Sequence, residues 1–176
     1  MTQTLFINAR LIDPVAQTDG LGALLVSDGV IVQVFDEVAP QVVGATVVNC
    51  AGNCLAPGIV DIGVKVSEPG ERHKESFRSA GRAAAAGGVT TIVTRPDTSP
   101  AIDTPEILEF VARRATLDAP VRVLPMAALT KSREGREMTE IGFLQDAGAV
   151  AFTDCDRVVT NTKVFSRALT YANSLG

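Results

Sequence analysis

Histidine occurs once in the 176 residues, at His73, cysteine three times and tyrosine once. One histidine and three cysteines leave little for a metal centre: Cys50 and Cys54 are spaced C-x3-C, but no second pair exists to complete a tetrahedral site. An odd number of cysteines without a secretory layout at Met1-Thr2-Gln3-Thr4 also argues against a disulfide framework, so Cys50, Cys54 and Cys155 are expected as free thiols. No apolar run approaches the roughly 20 residues that a bilayer span requires. No basic cluster stands behind the formal net charge of −4, since Lys and Arg are scattered among Asp and Glu. That excludes an electrostatic footprint for nucleic acid. The expected compartment is the cytoplasm, with no membrane and no nucleic acid as partner.

What remains, 46% hydrophobic and 20% charged residues, suits a globular chain with a sizeable core. From Leu5 to about Cys54 short β-rich runs alternate with turn signals: Leu5-Phe6-Ile7, Ala23-Leu24-Leu25-Val26, Ile31 to Phe35 and Thr46-Val47-Val48. Ser27-Asp28-Gly29 is a hairpin signal, because Asp-Gly supplies the backbone conformations of a tight turn. Residues 1–56 are therefore read as a small antiparallel β unit, a small β-sandwich portion.

Past Pro57-Gly58 the rhythm becomes strand, helix, strand, helix, the pattern of parallel βα units. Strands are expected at Ile59 to Val66, Val89 to Thr94, Val121 to Ala127 and Ala149 to Thr153, each apolar enough to be covered on both faces. Helices are expected from Glu75 to Ala86, stopped by Gly87-Gly88, and from Pro105 to Leu117, capped by Thr104. Two more run from Arg136 to Ala147, with Met138, Ile141 and Leu144 on one side, and after Asn161, with Val164, Phe165, Ala168, Leu169 and Ala172 inward. Residues 57–176 thus read as about four βα units, the first half of a (β/α)8 TIM-type barrel. A half barrel leaves a parallel edge open, which predicts either a longer natural protein, the expectation preferred here, or a partner along that edge.

In such a fold reactive groups sit at the C-terminal ends of the strands. The first of these reads Pro57-Gly58-Ile59-Val60-Asp61-Ile62-Gly63-Val64-Lys65-Val66-Ser67-Glu68-Pro69-Gly70. It resembles the P-G-x-x-D-x-H-x-H-x-R-E-P-G signature of the dihydroorotase and cyclic amidohydrolase family. Lys74-Glu75-Ser76, Ala83 to Thr91, Arg95-Pro96-Asp97-Thr98-Ser99-Pro100 and Phe152-Thr153-Asp154-Cys155-Asp156 follow in the family's order, beside its K-E-T, A-A-A-x-G-G-x-T-T, M-P-N-T-x-P and F-S-D-D-G segments. The resemblance spans the chain from about residue 4.

The resemblance implies zinc chemistry, and the departures concern that chemistry. The positions of the two histidine ligands hold Gly63 and Lys65. Residues i and i+2 of a strand point to one side and grip an ion together, but Gly63 has no side chain and a protonated Lys65 cannot coordinate. The position of the arginine that binds the substrate carboxylate holds Ser67, and that of the substrate-contacting asparagine holds Asp97, an anion where a neutral amide is expected. Asp154 occupies the place of a metal-associated aspartate and is read as vestigial, capping a turn or paired with Lys65 as a charge substitute for the metal. No cofactor is therefore expected, and no catalytic residue is assigned.

Other reactive-looking residues have plainer readings. His73 lies in a charged loop, and Lys131 lies in a loop resembling the family's T-K-G. Gly87-Gly88 precedes a strand rather than following one, unlike phosphate-binding glycines, and Asp61 with Glu68 makes no carboxylate dyad. Two functions follow from the resemblance. One is a non-catalytic dihydroorotase homologue of pyrimidine biosynthesis, structural or regulatory beside aspartate carbamoyltransferase, in a homo- or hetero-oligomer. The other is an active dihydroorotase or other cyclic amidohydrolase that opens a ring amide with a rearranged metal site.

Overall fold

Asp28 and Gly29 both take positive φ, 49° and 82°, as a tight hairpin turn requires. They join β2 (Thr18–Ser27) to β3 (Val30–Phe35), and β2 also pairs antiparallel with β1 (Gln3–Asp13), placing Leu5 opposite Leu25. A computed structural model describes residues 2–175 and divides into two compact units, Met1–Pro57 and Gly58–Gly176.

The first unit is a mixed sheet of order β3-β2-β1-β4, in which β4 (Thr46–Asn49) and β5 (Cys54–Leu55) run parallel to β1. The expected purely antiparallel unit is corrected on this point. Residues 36–45 carry the chain from one edge of the sheet to the far side of β1 instead of folding back in a turn, so β4 enters in the direction of β1. Asn8, at φ 51°, breaks the β1–β2 register between Phe6 and Ala9 and turns its backbone N–H to Val38. Leu5, Ala9, Ala23 and Leu25 form the buried face.

In the second unit β6 (Ile59–Val64), β7 (Val89–Thr94) and β8 (Arg122–Pro125) form a parallel sheet of that order, joined through α1 (Phe77–Ala86) and α2 (Pro105–Asp118). β7 is central, with Ile92 and Val93 buried. β6 is an edge, and its Ile59, Val60 and Ile62 are 54–72% exposed, so it is not covered on both faces as expected. The main core gathers Val66, Phe77, Ile102, Leu108, Val111, Ala115, Ala127 and Leu144.

The fourth strand is reduced to one parallel bridge, Ala127 to Phe152. The segment follows β8, since Ala127 N–H donates to Ala151 and Thr153 N–H to Ala127, but Pro125 has no N–H with which to extend the ladder.

Helix ends follow local chemistry. α1 starts later than expected because Ser76 and Ser79 close a capping box. Thr104 makes no side-chain cap bond; its side chain, close to the Glu106 carboxyl, instead lowers the pKa of that group. The third helix, α3 (Ile141–Asp146), is shorter than expected because Met138 is spent on a bridge to Thr130. α4 (Thr162–Ser174) is capped by Asn161, which accepts from Lys163 and Val164 N–H as its residue type promises. Only Ala168 of its expected inward row is fully buried; Phe165 and Leu169 are 42% and 49% exposed.

Candidate functional site

The register that sets Val64 beside Thr94 brings the residues after β6 alongside those after β7. Lys65 and Asp97 meet there: the Lys65 Nζ lies 3.1 Å from Asp97 Oδ2. The Arg95 guanidinium donates to the same oxygen at 2.9 Å. The Asp97 side chain is only 3% exposed, so two cations compensate one buried carboxylate. Burial opposes the Arg95 charge, but the Cys155 thiol and the Asp97 and Asp156 carboxylates outweigh it and raise its pKa.

The expected Lys65–Asp154 pair does not form. Lys65 is taken by Asp97, while Asp154, 5% exposed, is held from another direction. Its Oδ1 accepts the Thr130 N–H at 3.0 Å and its Oδ2 accepts the Thr130 hydroxyl. The Thr130 oxygen in turn accepts the Gly135 N–H at 2.8 Å, so Asp154 fastens the loop that follows β8. The carboxylate therefore reaches back to a residue 24 positions earlier in the chain rather than capping the next turn, so the turn-capping half of the expectation is corrected as well.

Gly63 sits at φ +91°, a conformation that favours glycine, and a Cβ there would meet nothing within 4 Å. The zinc that the resemblance implies does not fit the donors present. Gly63 offers none, the Lys65 ammonium is paired, and both Asp154 oxygens accept from Thr130. Among the described residues no group of three or more His, Cys, Asp or Glu side chains could hold a metal ion.

Ser67 is half-buried and its carbonyl accepts the Glu71 N–H. Glu68, 4% exposed, is structural: it accepts from the Phe77 N–H at 3.2 Å and from Arg114 Nε at 3.1 Å, tying the post-β6 loop to α1 and α2. His73 is exposed, and Cys50, Cys54 and Cys155 are free thiols. The Lys131 ammonium donates to Glu137, which raises its pKa, the opposite of what a nucleophilic lysine needs.

The residues that sequence reasoning missed are Arg95 as the partner of Asp97 and Arg133 as the partner of Asp156. Arg133 donates to Asp156 Oδ1 at 2.9 Å and holds its carboxyl below the usual aspartate range. Because that folded-state pKa is depressed, the pairing stabilises the fold above the ordinary aspartate pKa and is lost as pH falls through the depressed value. A carbon-detected NMR titration is expected to show the Asp156 midpoint rising on Arg133→Gln; an unmoved midpoint would refute the pairing. The signal in the sequence was the joint departure of Lys65 and Asp97, far apart in the chain, from the family pattern.

A family profile described as dihydro-orotase-like matches residues 52–176. The dihydroorotase of Wolbachia sp. subsp. Brugia malayi (strain TRS) is 40% identical over 174 residues, covering 97% of this chain and 39% of that protein. That of Sulfurihydrogenibium sp. (strain YO3AOP1) is 37% identical over 169 residues, 96% of this chain and 40% of that protein. The chain thus spans about 40% of the length of these curated relatives. Among solved structures, a D-hydantoinase superposes with a TM-score of 0.77 at 21% identity, over 99% of this chain and 38% of the other. The L-hydantoinase (dihydropyrimidinase) from Arthrobacter aurescens gives 0.72 at 24% identity, over 86% and 32%. At these identities the structural likeness establishes the fold.

Proposed function

Because the chain belongs to the dihydro-orotase-like family, we propose that it is a non-catalytic member of that family, serving pyrimidine biosynthesis as a structural or regulatory protein beside aspartate carbamoyltransferase. The single observation that carries this reading is the Lys65–Asp97 ion pair at 3.1 Å, which puts a bound cation of the protein's own at a family ligand position. Gly63 and Ser67 add to it, since a metal donor and an anion-binding fork are replaced at both. In the same reading Gly58–Gly176 is the first half of a TIM-type barrel, supported by the parallel order β6-β7-β8 and by the segment that follows β8. The carbamoyltransferase partner rests on the family resemblance.

The test is zinc analysis of protein purified without chelator, with a dihydroorotate ring-opening assay on the same sample and size-exclusion chromatography with aspartate carbamoyltransferase. Substoichiometric zinc, no turnover and co-elution are expected. Stoichiometric zinc together with ring opening would replace this reading by that of an active cyclic amidohydrolase with a rearranged site.

A further inference from the structure

α4 comes close to α3 at Gly142, where a Cβ would stand 2.7 Å from the Tyr171 hydroxyl. Between the two helices runs an open groove of about 360 Å³, lined by Glu140, Gly142, Phe143, Asp146, Tyr171 and Leu175 among others. Both of its walls belong to helices that the core holds in place: Leu144 of α3 packs with Leu108 and Val111 of α2, and Ile141 with Ala168 of α4. The groove lies between helices and not at the ends of the strands.

Its lining carries one sign of charge. Glu140, Phe143 and Asp146 recur every three residues along one side of α3, so a carboxylate precedes and follows the Phe143 ring. Neither carboxylate forms an ion pair among the described residues. Lys131, which senses the Glu140 charge, is bonded to Glu137, and Lys163 and Arg167 of α4 do not line the groove. Phe143 is 66% exposed and Tyr171 38%, so two rings share the groove with two uncompensated carboxylates. A small inorganic cation keeps its own water in such a place, since no third carboxylate, histidine or cysteine joins the pair among the described residues. A cation sheathed in hydrocarbon matches all four side chains: the carboxylates and ring faces attract its charge, and its methyl groups cover the rings.

We propose that the groove between α3 and α4 is a binding site for a methylated ammonium ion, held between Phe143 and Tyr171 with Glu140 and Asp146 as its counter-charges. A free small molecule and a methylated lysine side chain of a partner carry the same chemistry, and the test separates them. The site holds whether or not the chain is catalytic, because none of its residues belongs to the Lys65–Asp97 cluster.

The experiment is an NMR titration of the protein with tetramethylammonium chloride at constant ionic strength. Potassium chloride controls for charge alone and tert-butanol for hydrocarbon alone. Saturable shifts of the Phe143 and Tyr171 ring signals and of the Gly142 amide are expected, with Kd on the order of 1–10 mM for so small a ligand. Phe143→Leu keeps apolar bulk at an exposed position but removes the ring face, and should weaken binding about threefold. Asp146→Asn, also on the surface, should weaken it by a similar factor. No saturable shift in the unmodified protein overturns the site, as does an equal response to tert-butanol or to potassium chloride, or an unchanged Kd in both variants. Tighter binding of N-acetyl-trimethyllysine amide than of tetramethylammonium supports the site and assigns it to a partner's side chain; equal or weaker binding supports it as a site for a free cation.

Discussion

Glu68→Ala is expected to lower the stability of the second unit by about 3–5 kcal/mol, the cost of leaving the partners of a buried ion pair uncompensated. The Glu68 side chain is 5% exposed and takes Arg114 Nη2 at 3.1 Å as well as Arg114 Nε and the Phe77 N–H. Arg114 is itself 25% exposed and also bonds Asp118, so part of its charge stays compensated and the lower end of the range is the better expectation. Arg72, 61% exposed and 3.5 Å away, adds little because water screens it. Glu68→Gln should recover part of the loss, since its carbonyl still accepts one bond. Urea denaturation checks this; a change under about 0.5 kcal/mol, the range of ordinary surface substitutions, would mean that Glu68 does not hold the loop.

Asp154→Ala is expected to cost about 2–4 kcal/mol. It strands the Thr130 N–H in the interior and removes the charged acceptor of the Thr130 hydroxyl, each worth roughly 1–3 kcal/mol when a buried group loses its partner. The damage should extend to the 130–135 loop, because the Thr130 oxygen also takes the Gly135 N–H. Faster amide exchange at Gly135 than at Leu108 in the variant, relative to the parent, is the local signature. Asp154→Asn keeps an acceptor for the Thr130 N–H and should lose only about 1 kcal/mol. If Asp154 served mainly as a metal ligand, both substitutions would leave the stability of metal-free protein unchanged.

Much of the architecture was legible because it depends on local chemistry. The Asp28-Gly29 turn, the Asn161 end of α4 and the β7 strand each follow from one or two residues whose backbone preferences or hydrogen-bonding groups have few alternatives. The fourth strand, reduced to one bridge, shows the limit: Ala149 to Thr153 is as apolar as β7, but a full ladder needs donors from the neighbouring strand, and Pro125 accepts the Val150 N–H while donating nothing.

The site divides in the same way. That Gly63 and Lys65 cannot serve as a metal-ligand pair follows from the residue types alone, because no packing gives glycine a donor or lets an ammonium coordinate. Which carboxylate answers Lys65 was a matter of register. Asp154 and Asp97 are both plausible partners in one dimension, and only the β6–β7 pairing and the prior claim of Thr130 on Asp154 choose between them. Composition and motif therefore decided the chain's family and that Gly63 and Lys65 offer no pair of metal donors. The tertiary structure decided how the charges are redistributed, because ion pairing depends on distances of a few ångström between residues far apart in sequence.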